Sequence, residues 1–302
     1  MPSASAPPSP TAPARAGHVR TAIAPSLGRR LYFGWLAFVA GFFTATMSPG
    51  VVIQSVFRPG ARTFRAWMRP WGRIVLRGSG IRVTTEIRAE VPEPVVFVVN
   101  HQNGLDIPAL SAALPVPFVF SAKKELHSWP FVGWVLARTA CLFIDRSGPK
   151  KALRSLQEAA ERIRGGASVI LFPEGGRSWR HGLLPFMRGP FILAIQSGVP
   201  VVPVALVGNT GVLDERHFLA RPGEIRVVLG EPIPTDGLTR RDAGALSDRV
   251  RDWMEAELRA VGPLVSASGE IESLTERATE APITDETAAS GETEATPVPA
   301  GA

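Results

Sequence analysis

The chain has 302 residues, 45% of them hydrophobic, and a formal net charge of +6. That is material for one main globular unit, with a basic balance that suits an anionic partner: nucleic acid, an anionic bilayer surface or a phosphorylated substrate. The single cysteine, Cys141, excludes an internal disulfide framework and any cysteine-based metal cluster.

Residues 1–28 are rich in Pro, Ala and Ser without apolar periodicity and read as a disordered leader. Arg29 and Arg30 then precede LYFGWLAFVAGFFTATM, an uncharged run of 17 residues at the lower edge of a transmembrane span. Ser48-Pro49-Gly50 separates this run from the short apolar stretch VVIQSVF. RPGARTFRAWMRPWGRIVLRG follows, with six arginines interleaved among Phe64, Trp67, Met68, Trp71, Ile74 and Leu76. Guanidiniums beside indole rings suit the headgroup layer, where rings meet the apolar boundary and arginines meet phosphates. Residues 29–80 are therefore expected to form a membrane-anchoring helical segment, two membrane-dipping helices being favoured over one isolated span.

From 81 to 262 short β-rich runs alternate with helical stretches. IRVTTEI, VVFVV, FVFSA, CLFID, SVILF, VVPVALV and EIRVVLG predict strands; DIPALSAAL, LHSWPFVGWVLA, PKKALRSLQEAAERIRGG, FILAIQSG and RRDAGALSDRVRDWMEAELRAVG predict helices. The alternation implies an α/β fold, a mixed, largely parallel sheet flanked by helices, behind the N-terminal membrane-associated segment. Pro200 and Pro203 are read as shaping an edge strand. Residues 263–302 read as a disordered acidic tail. From 261 onward eight acidic residues face Arg277 alone, so the rest of the chain is more basic than the net charge says.

Chemistry concentrates at strand ends. In VVFVVNHQNGLDIPAL a buried-looking strand ends at Asn100-His101 and a helix begins at Asp106. A carboxylate four residues beyond the histidine can reach the imidazole, fix its tautomer and make the other ring nitrogen a better base; a helix N-cap role for Asp106 is the plainer alternative. In SVILFPEGGRS a strand runs into Glu174, Gly175, Gly176 and Arg177. Paired glycines let backbone N–H groups approach an anion, and an arginine fork matches phosphate oxygens; a tight turn with a surface arginine is the alternative. Asp145 and Arg146 follow CLFI in the same manner and could converge on the same sheet end. Cys141, in an apolar strand start without an adjacent histidine, reads as core.

The order of NHQNGLD, FIDRS, FPEGGRS and VPVVPV after a basic apolar N-terminus resembles the glycerolipid acyltransferase family, most closely its 1-acylglycerol-3-phosphate acyltransferases, over residues 81–235. The resemblance implies an acyltransferase with the HX4D motif that serves phospholipid biosynthesis. Acyl-CoA or acyl carrier protein would be the co-substrate, with no further cofactor and no metal. His101 would be the general base and Asp106 its orienting partner; Arg146, Glu174, Gly175, Gly176 and Arg177 would surround the acceptor's phosphate and glycerol, with Lys123 or Lys124 presenting a further cation. The implied partners are membrane lipids and a lysophospholipid acceptor, with no nucleic acid. The implied location is membrane-associated, with the catalytic domain on the cytoplasmic face. Lysophosphatidate is the favoured acceptor. Another lysolipid or a glycolipid is the alternative, and a thioester hydrolase or a non-catalytic lipid-binding protein would be readings of a different class. The chain departs from the family pattern at Gln102, Asn103 and Gly176, where Ser or Thr is common.

Overall fold

The computed structural model describes residues 26–122, 126, 128–138, 141–143, 149–178, 182–260, 264–265 and 271–272. The first element is a 31-residue helix, α1 (Leu27–Phe57), started by the Ser26 hydroxyl, which accepts the N–H of Arg29 at 3.4 Å. It runs on through Ser48-Pro49-Gly50 and takes in VVIQSVF. Proline costs an interior helix a hydrogen bond, but tertiary packing offsets the loss here. Gly50 lets the Trp67 ring of the next helix lie against the backbone, where a Cβ would collide with it.

That next helix, α2 (Ala61–Gly78), runs antiparallel beside α1. Trp35 Nε1 donates to the Gly78 carbonyl at 2.9 Å, Trp71 Nε1 to Thr44 Oγ1 at 3.1 Å, and Tyr32 OH and Trp67 Nε1 reach Ser79 O and Gln54 Oε1. Leu31, Trp35, Phe38, Phe42, Ile53, Val56 and Phe57 of α1 remain exposed. At ~100° per residue they fall within a sector of about 120° along a helix roughly 46 Å long. The helix is long and apolar enough to cross a membrane, for which ~20 residues suffice.

The main sheet has seven strands in the order β1 (Ile81–Ile87), β9 (Gly223–Leu229), β6 (Val201–Val207), β2 (Val96–Val99), β5 (Val169–Leu171), β3 (Val119–Ala122), β4 (Leu142–Phe143). β6, β2, β5, β3 and β4 are mutually parallel; β9 runs antiparallel to β6, and β1 parallel to β9. The expected mixed, largely parallel α/β sheet is therefore what the chain forms. β2 is buried on both faces, which is why it reads as an unbroken apolar run. Phe97 and Val99 face one core with α1, α2, α3 (Asp106–Ala113) and α4 (Val132–Arg138). Val96 and Val98 face the other, closed by α5 (Pro149–Arg164), α6 (Gly189–Ser197) and α8 (Ala243–Arg259).

The edge reading of Pro200 and Pro203 is corrected: β6 lies between β9 and β2. Pro203 is tolerated because its carbonyl points to the side where β9 has just ended, accepting the N–H of Gly230 at 2.9 Å, so the missing N–H falls where the ladder stops. Gly230 in turn leaves room for the Pro203 and Trp253 rings, both of which a Cβ would meet within 2.9 Å. Cys141 is buried, its thiol donates to the Phe120 carbonyl at 2.7 Å, and burial pushes its pKa up to about 12, in keeping with a core residue.

Candidate active site

β2 and β5 are adjacent and parallel, with Val98 opposite Leu171, so the loops leaving their C-terminal ends lie side by side. Such ends are where open α/β sheets bind ligands. The first loop carries His101 and delivers the chain to Asp106 at the start of α3. His101 Nδ1 lies 2.6 Å from Asp106 Oδ2, so the pair expected from spacing is formed. Asp106 is fully buried, and Oδ2 also accepts the N–H groups of Gln102 at 2.7 Å and Asn103 at 3.2 Å; Oδ1 accepts Asn209 Nδ2. A carboxylate already serving three other N–H donors is an acceptor toward the imidazole too, which places the ring proton on Nδ1 and the lone pair on Nε2. Among the described residues no protein group bonds Nε2. The imidazole is stacked on Phe172, centroids 4.1 Å apart and planes 21° off parallel, and stays 15% exposed.

The second loop supports the first from behind. Glu174 Oε1 accepts the His101 backbone N–H at 2.7 Å and Oε2 accepts the N–H of Leu184 at 2.8 Å, while Ser178 N–H donates to the His101 carbonyl at 2.7 Å. Glu174, expected beside the acceptor, thus has both oxygens engaged by backbone. Burial pushes its carboxyl from the ordinary 4.5 up to about 7, against the pull of the two N–H groups. Because its folded pKa is raised, the folded state holds the extra proton between those values, and stability is lost as pH rises through about 7. Glu174→Gln should therefore flatten the fall in stability between pH ~4.5 and ~7, a range worth up to ~3 kcal/mol. Urea melts of both proteins across that range check this; parallel slopes would mean Glu174 is ionised throughout.

Gly175 takes φ +70°, the left-handed region that glycine occupies freely. A Cβ on Gly176 would meet nothing within 4 Å, so that position has room for a side chain. Arg177 Nη1 donates to Glu215 Oε2 at 2.9 Å. Lys123, Lys124, Asp145 and Arg146 lie outside the described residues.

Sequence reasoning missed Asn209, Glu215 and Phe172 as parts of this site, and left Asn100 and Asn103 without a role. Asn103 Nδ2 bonds the carbonyls of Asn209 at 3.0 Å and Leu213 at 2.9 Å, and Asn100 pairs with the backbone of Leu206 through both amide atoms, at 3.0 and 2.7 Å. The one available signal was a buried-type run, VPVVPVALV, ending at Val207, two residues before Asn209.

The strands and loops that carry this pair lie within residues 80–207, the stretch that matches the Acyltransferase family model. Among curated proteins it is similar to 1-acyl-sn-glycerol-3-phosphate acyltransferase of Saccharomyces cerevisiae, 34% identical over 173 residues, covering 56% of this chain and 57% of that one. It is also similar to the human alpha form of that enzyme, 36% identical over 187 residues, covering 60% of this chain and 65% of the human one. The chain thus matches somewhat less than two thirds of either relative's length. Among solved structures it resembles the 1-acyl-sn-glycerophosphate (LPA) acyltransferase PlsC of Thermotoga maritima, with a TM-score of 0.65 at 23% identity, covering 78% of this chain and 96% of that one; this likeness shows the fold.

Proposed function

We propose that the protein transfers a fatty acyl group from acyl-CoA or acyl carrier protein to the free hydroxyl of 1-acylglycerol-3-phosphate, giving phosphatidic acid. The observation that carries this reading is the His101–Asp106 pair, with Nδ1 held by a fully buried carboxylate and Nε2 without a protein partner among the described residues. Nε2 takes the proton of the acceptor hydroxyl as its oxygen attacks the thioester carbonyl carbon. The tetrahedral adduct collapses with breakage of the C–S bond, and the thiolate leaves with the proton returned from the imidazolium. An alcohol is a poor nucleophile at neutral pH, and a positioned base contributes roughly 10² to 10⁴-fold, the rest coming from positioning and stabilisation of the oxyanion.

The exposed apolar stripe of α1 and the arginines of α2 support attachment to a membrane that contains the acceptor. Arg62, Arg65, Arg69, Arg73 and Arg77 share a ~120° sector, and α2 contains no acidic residue. The catalytic domain then faces the cytoplasm, where both proposed donors are found. In this reading Arg177 meets the acceptor phosphate, with Lys123, Lys124 and Arg146 supplying further charge.

The test of acceptor recognition is Arg177→Lys, which keeps the charge but loses the planar fork. It should raise KM for lysophosphatidate more than KM for the donor, and Arg177→Ala should do so by about 10 to 100-fold, as expected for one charged hydrogen bond. If Arg177→Ala weakened the donor and spared the acceptor, the loop would hold the phosphates of coenzyme A instead. Assays of purified membranes with labelled acyl-CoA and acyl carrier protein, followed by product identification, separate the donors and settle the acceptor.

A further inference from the structure

A third segment reaches both motif loops. Beyond β6 a single-turn helix, α7 (Asn209–Val212), leads into a hairpin of β7 (Leu213–Asp214) and β8 (Leu219–Ala220). Glu215, at the start of its turn, lies between the two loops. Its Oε1 accepts the N–H of Gly104, in the histidine loop, at 2.6 Å, and its Oε2 accepts Arg177 Nη1 at 2.9 Å. The pair is partly sheltered, Glu215 being 21% and Arg177 39% exposed. Gly104 is the opening through which the carboxylate enters, because a Cβ there would collide with Oε1. Three residues from separate parts of the chain thus close into one unit, and the hairpin is itself held against α1 by Phe218, whose ring meets Phe33 edge-on at 5.5 Å.

We propose that Glu215 is a positioning residue of the acyl-transfer site. Through Gly104 it fixes the loop that carries His101, and through the ion pair it aims the Arg177 guanidinium at the acceptor's phosphate. The inference rests on the function proposed above. Its physical basis is that a long arginine side chain with many rotamers is directed by a carboxylate that is itself anchored to backbone. A base, likewise, loses rate when its loop shifts by a fraction of an ångström.

The two arms are separable by chemistry. Glutamine has one acceptor oxygen where glutamate has two, so Glu215→Gln can satisfy Gly104 or Arg177 but not both. The part-buried Gly104 N–H has the stronger claim, since Arg177 can turn to water. Glu215→Ala loses both arms. Steady-state kinetics with lysophosphatidate and acyl-CoA on the full-length protein in membranes should give, for Glu215→Ala, a fall in kcat of about tenfold and a comparable rise in acceptor KM. Glu215→Gln should recover most of the kcat while the acceptor KM stays raised, and donor KM should change less than about twofold in both, because neither arm faces the donor in this reading.

A purely structural role would lower kcat through the folded fraction and leave both KM values alone. Gly104→Ala adds a second measurement: it should cost activity in the wild type but little further in Glu215→Ala, because the collision partner is gone. If Glu215→Ala does not fold, as read by thermal melting, Glu215→Gln and Gly104→Ala carry the test. Wild-type kcat and acceptor KM in Glu215→Gln and Glu215→Ala alike, equal rises in both KM values, or an equal cost of Gly104→Ala in both backgrounds would overturn the proposal. His101→Ala assayed alongside distinguishes the two levels: if it still transfers, the proposed function fails, whereas if it is inactive and the Glu215 variants behave as wild type, only the role of Glu215 fails.

Discussion

His101→Ala is expected to reduce acyl transfer by roughly 10² to 10⁴-fold, the contribution of a positioned general base, while the protein stays folded. The imidazole is partly exposed, and its removal leaves Asp106 with the N–H groups of Gln102, Asn103 and Asn209 still bound. The change should therefore barely move the melting temperature. Activity and melting measured on the same preparation check this, and a variant retaining more than about a tenth of wild-type rate would exclude His101 as the base.

Asp106→Asn should be as damaging to the rate and, unlike the histidine variant, damaging to the fold. An amide offers one acceptor oxygen and an NH₂ group where the carboxylate offers two acceptors. Oδ2 serves His101, Gln102 and Asn103, and Oδ1 serves Asn209, so either orientation sets an N–H against other N–H donors in a fully buried space. Each donor left unpaired there costs about 1 to 3 kcal/mol. A total of roughly 3 kcal/mol would lower the melting temperature by about 6 to 12 °C for a domain of this size. If the NH₂ faces the imidazole, it forces the proton onto Nε2, and the ring can no longer accept the acceptor's proton. Thermal melts and single-turnover rates together test this; a stable, active Asp106→Asn would mean that Asp106 is only a helix-start residue.

Much of the fold can be read from the chain because apolar runs of strand length, such as VVFVV and SVILF, alternate with longer amphipathic stretches, and burial on both faces leaves no other use for them. Strand direction is harder. EIRVVLG is correctly a strand, yet nothing in its composition says that it runs against β6 and with β1, since period-two alternation is the same in either sense. Pro203 misled for a related reason: whether a strand is central depends on where its neighbour stops.

At the site, His101 and Asp106 were legible because their contact is local, within one loop. The groups that fix them were not. Asn209 and Glu215 lie more than a hundred residues further on and meet the loop only through the sheet crossover. Glu174 was legible only as an acidic residue in a glycine turn, and it takes the backbone partners of both its oxygens to show that it also braces the histidine loop.

The Asn100 amide has a consequence for how the site withstands thermal motion. The β2–β6 ladder ends with Val99 opposite Val204, and one residue later the Asn100 side chain bonds both the N–H and the carbonyl of Leu206, imitating another rung. The chain therefore leaves the sheet under restraint, and His101 inherits the stiffness of the central strands rather than the looseness of a surface turn. A local opening that carries Asn100 away must break both of its bonds to Leu206, which raises the free energy of that opening. In the proposed reaction His101 and Asp106 are then already arranged before the acceptor arrives, and little entropy remains to be lost in ordering them at the barrier.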